Sequence, residues 1–128
     1  MRDPRHEHFW RAERESVPVV TIPYRDSFSA EELARIRVGL VPGSMDEKWF
    51  VLFEHPFLFL YRSWTGTLIY RLEIEEGPEG GEVVNATVLD NPEMYRRGSP
   101  DYEASLLSWL VRGLLLNQEV PFPERDER

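Results

Sequence analysis

The string Arg62-Ser63-Trp64-Thr65-Gly66 holds the side chains of this sequence best suited to binding chemistry. A guanidinium offers a fixed fork of N–H donors that matches the oxygens of a carboxylate or phosphate, and two hydroxyls beside it add hydrogen-bonding groups. Trp64 gives a flat face on which a ring can stack, and Gly66 has no side chain to hold a ligand away from the backbone. Lys48 joins them: fourteen of the fifteen basic residues are arginine, so it is the one compact, deprotonatable amine. Read this way, Lys48, Arg62, Ser63, Trp64, Thr65 and Gly66 form the ligand-binding set of a small anion or nucleotide pocket at the end of a sheet. Ser-Trp-Thr-Gly is also acceptable chemistry for a structural hairpin turn, with Trp64 capping the core.

Nothing in the sequence reads as a catalytic constellation. There is no nucleophile elbow, no Gly-x-Gly-x-x-Gly run and no Walker motif. Glu73, Glu75 and Glu76 fit a solvated strand face, and His55 in Glu-His-Pro fits a turn. His6 and His8 flank Glu7 in a charged arm with no third ligand nearby, so neither a metal nor a cofactor is expected.

Composition narrows the partners. The chain has 128 residues, enough for one domain with a real core. Acids outnumber bases 23 to 15, for a net charge of -8, and Arg96-Arg97 is the only adjacent basic pair. A nucleic-acid partner needs a basic surface that displaces counterions, so that class is set aside. No apolar run approaches the roughly 20 residues of a membrane-spanning helix, and the charged N-terminus has no apolar signal core. A cytoplasmic protein without membrane or nucleic-acid partners is the expectation. With no cysteine there is neither a disulfide framework nor thiolate chemistry, and ten prolines with a single glutamine suit a heat-adapted source.

The elements that must position these residues follow from periodicity and punctuation. Residues 1–16 read as a polar arm carrying Phe9-Trp10, residues 17–119 as one globular domain, and residues 120–128 as a loose tail. Val17 to Ile22, flanked by prolines, should be an edge strand. Ser29 followed by Glu32 is a capping box, with Phe28 and Leu33 placed as a hydrophobic staple. The helix it starts should run from Ala30 to about Val38, bury Leu33, Ile36 and Leu40, and stop at Gly39. Lys48–Glu54 and Phe57–Arg62 are apolar on both faces and are expected centrally in the sheet. In Thr67–Glu75, Leu68, Tyr70, Leu72 and Ile74 should face inward, and Arg71, Glu73 and Glu75 outward. Residues 76–81 read as a loop and Glu82–Leu89 as the last strand. Ser99-Pro100-Asp101 starts a second helix reaching about Asn117. Its apolar stripe is wider than one face, which predicts packing against the first helix or a homodimer interface. The fold expected is α+β: a single domain with an antiparallel four- to five-stranded β-meander packed against two helices.

The pattern Met45-x-x-Lys48-Trp49-Phe50, an apolar strand, Arg62-Ser63-Trp64-Thr65-Gly66 and Ile69-Tyr70 resembles a family of small, largely uncharacterised bacterial domains associated with ADP-ribose-handling proteins. The similarity covers roughly residues 45–75. Members of that family carry histidine just before the Arg-Ser-Trp-Thr-Gly string, where this chain has Tyr61. The resemblance implies a nucleotide-type ligand. Residues and resemblance lead to a non-catalytic binding module for an anionic or nucleotide-like ligand. The alternatives are an interaction protein acting through its C-terminal helix or aromatic N-terminal arm, and a hydrolase of an ADP-ribose-type substrate.

Overall fold

Residues 18–41, 48–63 and 65–123 are described by the computed structural model. The arm at 1–16, Met45, Trp64 and the last five residues lie outside them. In chain order come β1 (Val19–Thr21), β2 (Ser27–Ser29), α1 (Ala30–Val38), β3 (Trp49–Glu54), β4 (Phe57–Arg62), β5 (Leu68–Gly77), β6 (Gly80–Leu89) and α2 (Pro100–Ser108). A π-helical stretch, Trp109–Leu115, continues α2. The result is the α+β domain expected, with one antiparallel sheet and two helices.

The sheet has six strands in the order β1-β6-β5-β4-β3, and β2 also pairs with β6. The short strand β2 was not anticipated. It forms because β6 is longer than β1 and leaves the backbone of Gly80, Gly81 and Glu82 free to pair with Ser27–Ser29. Residues 76–81 are consequently not a loop. They extend β5 and β6 until only Pro78 and Glu79 turn the hairpin, with Gly77 paired to Gly80. Glycine is required there: at φ 148°, a Cβ on Gly80 would stand 1.9 Å from the carbonyl oxygen of Phe28.

The local signals at the helix starts hold. The N–H of Glu32 donates to Ser29 Oγ at 3.1 Å, and Glu32 Oε1 accepts from the N–H of Ser29 at 3.0 Å. Leu33 and Ile36 are buried, and Gly39 ends α1 at φ 73° with its N–H on the carbonyl of Ile36. At α2, Ser99 Oγ accepts from the N–H of Tyr102 at 3.1 Å.

Three expectations are corrected. First, β3 lies at the sheet edge, not in the centre. Its two apolar faces are both used: Val51 joins the main core with Trp49 and Phe53 against it, and Phe50 joins a second cluster with Phe59, Tyr61 and Leu68. A bridge from Leu40 to Val51 occupies part of the open edge. Second, Leu68 belongs to that second cluster and not to the face of Tyr70, Leu72 and Ile74. A register shift pairs Leu60 with Tyr70 but Tyr61 with Leu68, so Ile69 is an extra residue and the alternation reverses across it. Third, the helix from Pro100 is α-helical only to Ser108. The π-helical winding then turns Leu110, Val111 and Leu115 into the core while Trp109 and Leu114 face a cleft. The wide apolar stripe thus divides between the core and that cleft.

Candidate functional site

Register brings the basic residues together. Trp49 pairs with Arg62 across the β3–β4 ladder, and the N–H of Ser63 donates to the carbonyl of Lys48 at 2.8 Å. The turn that follows is closed by its own hydrogen bonds. The N–H of Gly66 donates to Arg62 O and the N–H of Arg62 to Thr67 O, both at 2.8 Å. Thr65 Oγ1 accepts from the N–H of Thr67 at 3.2 Å and donates to Thr67 Oγ1 at 2.8 Å. Gly66, at φ 73°, supplies the left-handed residue this turn needs.

Beside the turn opens a cleft of about 780 Å³, within the size range of small-molecule sites. Lys48, Arg62 and Thr65 line it, as do Trp49 and Leu40. Met94, Tyr95 and Arg96 close it from the β6–α2 connection. The far wall is the C-terminal helix, with Tyr102, Leu106, Trp109 and Leu114, and Phe122 standing edge-on to Trp109 at 4.9 Å. Of the residues expected to bind, Lys48, Arg62 and Thr65 converge on this cleft. Ser63 and Gly66 serve the turn through their backbones, and Trp64 is outside the described residues.

Arg62 is held by rings. Its Cζ lies 5.2 Å from the centroid of Trp49 and 5.8 Å from that of Tyr95, within cation–π range of each ring. Its Nε is buried with no hydrogen-bond partner. An unpaired buried donor costs about 1–3 kcal/mol. Among the described residues no carboxylate forms an ion pair with Arg62 or Lys48. The guanidinium is therefore partly desolvated and has no ion-paired carboxylate among the described residues, the condition in which an arriving anion gains most.

Behind the cleft wall, Tyr95 is fixed by a buried carboxylate. Glu103 Oε1 accepts from Tyr70 Oη at 2.5 Å and from Tyr95 Oη at 2.9 Å, and Oε2 accepts from the N–H of Gly98 at 2.6 Å. Glu103 is fully buried. Burial, reinforced by the neighbouring phenol and the Glu103 carboxylate, pushes the Tyr70 hydroxyl far above its ordinary pKa. Burial does the same to Tyr95, with the Tyr70 hydrogen bond opposing it. This network ties α2 and the β6–α2 connection to β5, and so sets the ring against which Arg62 rests.

Among the described lining residues there is no carboxylate and no histidine, and no group of three or more metal-ligating side chains lies anywhere among the described residues. No helix is long and apolar enough to cross a membrane. No protein-family model, curated protein or solved structure matches this chain. The residues that sequence reading missed are Trp49, Tyr95, Arg96, Tyr102, Leu106, Trp109, Leu114 and Phe122 as cleft walls. The Arg96-Arg97 pair and the helical spacing of Tyr102, Leu106 and Trp109 were visible signals, but nothing local assigns them to the same space as Arg62.

Proposed function

We propose that this chain is a non-catalytic binding module for a small anionic or nucleotide-like ligand, received in the cleft between the β4–β5 turn and the C-terminal helix. One observation carries the reading. In a protein of net charge -8, the described walls of the cleft bring together Lys48 and Arg62, neither ion-paired to a carboxylate among the described residues, amid aromatic rings. Such a local reversal of sign attracts an anion, and the rings supply apolar area for its body.

Thermal denaturation with a panel of inorganic phosphate, AMP, ADP-ribose and organic carboxylates tests it. A ligand present at one hundred times its Kd stabilises the fold by about 2.7 kcal/mol. Arg62→Lys should reduce the shift, because a point charge cannot reproduce a guanidinium fork. Arg71→Lys should not, since Arg71 lies over Phe57 and away from the cleft. If no member of the panel raises the melting temperature at millimolar concentration, the cleft is not a ligand site.

A further inference from the structure

Resting on that reading of the cleft, we infer that its ligand is an amphiphilic carboxylate, an acid with a flexible or aromatic hydrocarbon body, and not a nucleotide. The first reason is the division of the walls. Among the described lining residues, every cation comes from the sheet side or the β6–α2 connection: Lys48, Arg62 and Arg96. Among the same described residues, the helix side offers Tyr102, Leu106, Trp109, Leu114 and Phe122, with no Lys, Arg, Asp or Glu. Leu114 is 38% exposed and Phe122 60%, so apolar surface stands open to water at that end. A molecule charged at one end and apolar at the other matches both walls at once.

The second reason is the scarcity of neutral side-chain groups that can accept a hydrogen bond. A nucleoside carries many donors and acceptors, and each one buried without a partner is costly. Among the described lining residues there is no Asn, Gln, Asp or Glu to hold a ribose or read a base edge. The Thr65 hydroxyl is engaged with Thr67, and the Tyr95 hydroxyl with Glu103 and Tyr70. Beyond them the neutral polar side-chain groups of the described walls are the Tyr102 hydroxyl and the indole N–H groups of Trp49 and Trp109, too few to match a nucleoside.

The third reason is the turn itself. Phosphate chains are typically cradled by successive free backbone N–H groups. Here the N–H groups of Arg62, Ser63, Gly66 and Thr67 are all spent on the turn and on Lys48. With these four donors engaged, the side chains of Arg62 and Lys48 are the groups best placed to take an anion. The Arg62 fork with a neighbouring ammonium suits a single carboxylate head.

Isothermal titration calorimetry on the intact chain decides the matter, with decanoate and phenylbutyrate as probes, decanol as the uncharged counterpart, and AMP and ADP-ribose as the nucleotide arm. Decanoate should bind at least about tenfold more tightly than either nucleotide, and likewise than decanol. Arg62→Gln should erase the preference for decanoate over decanol. Phe122→Ser, at an exposed position where folding is not at stake, should weaken decanoate by about tenfold, and Leu114→Asn should act in the same direction. Tighter binding of AMP or ADP-ribose than of either acid would overturn the inference and leave the anion site standing. Equal binding of decanol and decanoate, or no effect of Phe122→Ser, would also overturn it. Silence from every probe would remove the ligand site as well.

Discussion

Glu103 holds Tyr95 through a 2.9 Å hydrogen bond from the phenol, and Tyr95 is one of the two rings within cation–π range of Arg62. A carboxylate with no solvent exposure thus determines how a cleft residue is presented, without itself facing the cleft. Its two oxygens accept from three donors: two phenols and the N–H of Gly98.

That arrangement predicts the cost of Glu103→Gln. The substituted amide keeps one acceptor oxygen and turns a donor toward groups that also donate. Hydrogen bonds to charged groups contribute about 1.5–3 kcal/mol each, so a loss of about 2–4 kcal/mol is expected in urea denaturation. A loss under about 0.5 kcal/mol, the range of neutral surface changes, would show that the network does not secure α2.

Alkaline stability follows from the same tyrosines. Burial raises the hydroxyls of Tyr24, Tyr70 and Tyr95 above the ordinary value of 10.0. Above that pH the unfolded chain releases phenolic protons that the folded chain retains. The stability they contribute is therefore complete below pH about 10 and lost as pH rises beyond it. Each such residue removes about 1.4 kcal/mol per pH unit there. Phenolate absorbance should appear for these three only together with the loss of circular dichroism, and Tyr70→Phe should flatten the alkaline slope. Phenolate signal from all five tyrosines in a still-folded protein would contradict this.

Arg112 predicts an acid limb. It donates to both oxygens of Asp26, at 3.0 and 2.7 Å, to Glu32 Oε2 at 3.1 Å and to the carbonyl of Ser27 at 2.8 Å. Burial pushes the Asp26 carboxyl up, but the hydrogen bonds from Arg112 and Tyr24 outweigh it and hold it below its usual range. Glu32 is lowered first by the Ser29 N–H of the capping box, with Gln118 and Arg112 assisting. A depressed folded pKa gives stability that is present above the unfolded value of about 4 and lost as pH falls through the folded one. Arg112→Met should cost about 2–3 kcal/mol at neutral pH, less than a fully buried pair because a fifth of the side chain is exposed. The difference from wild type should shrink below pH about 4. A pH-independent difference would mean that Arg112 acts through its packing on Phe28 alone.

Sequence reading reached the local features because each is decided within a few residues. The capping box at Ser29 and Glu32 and the cap at Ser99 need only neighbours in the chain, and the meander of β3 to β5 needs only turns between apolar runs. The edge position of β3 was not legible, because a strand covered on both faces has the same alternation whether its neighbours are strands or side chains. Leu68 was misplaced because a bulge reverses the pleat and leaves no mark in composition. Arg62 and Lys48 were found from residue chemistry, and register then brought them together. Tyr95, Trp109 and Phe122 were not, since a ring thirty or sixty residues away joins a cleft only through tertiary packing.

The last prediction separates the ring of Tyr95 from its hydroxyl. Tyr95→Phe keeps the aromatic face over Arg62 and removes one of the donors to Glu103. It should cost about 1.5–3 kcal/mol of stability, the range for a hydrogen bond to a charged group. Ligand affinity at the cleft should change little. Tyr95→Leu removes both the hydroxyl and the cation–π contact. Its further stability loss beyond Tyr95→Phe should be about 0.5–2 kcal/mol, according to how far the guanidinium is desolvated. Arg62, left with Trp49 as its one ring among the described residues, should sample more orientations, and anion affinity should fall with Tyr95→Leu but not with Tyr95→Phe. Pairing each change with Arg62→Gln in a double-mutant cycle isolates the coupling. A coupling energy for Tyr95→Phe as large as that for Tyr95→Leu would show that Arg62 is governed by the hydroxyl network, with the ring contact incidental.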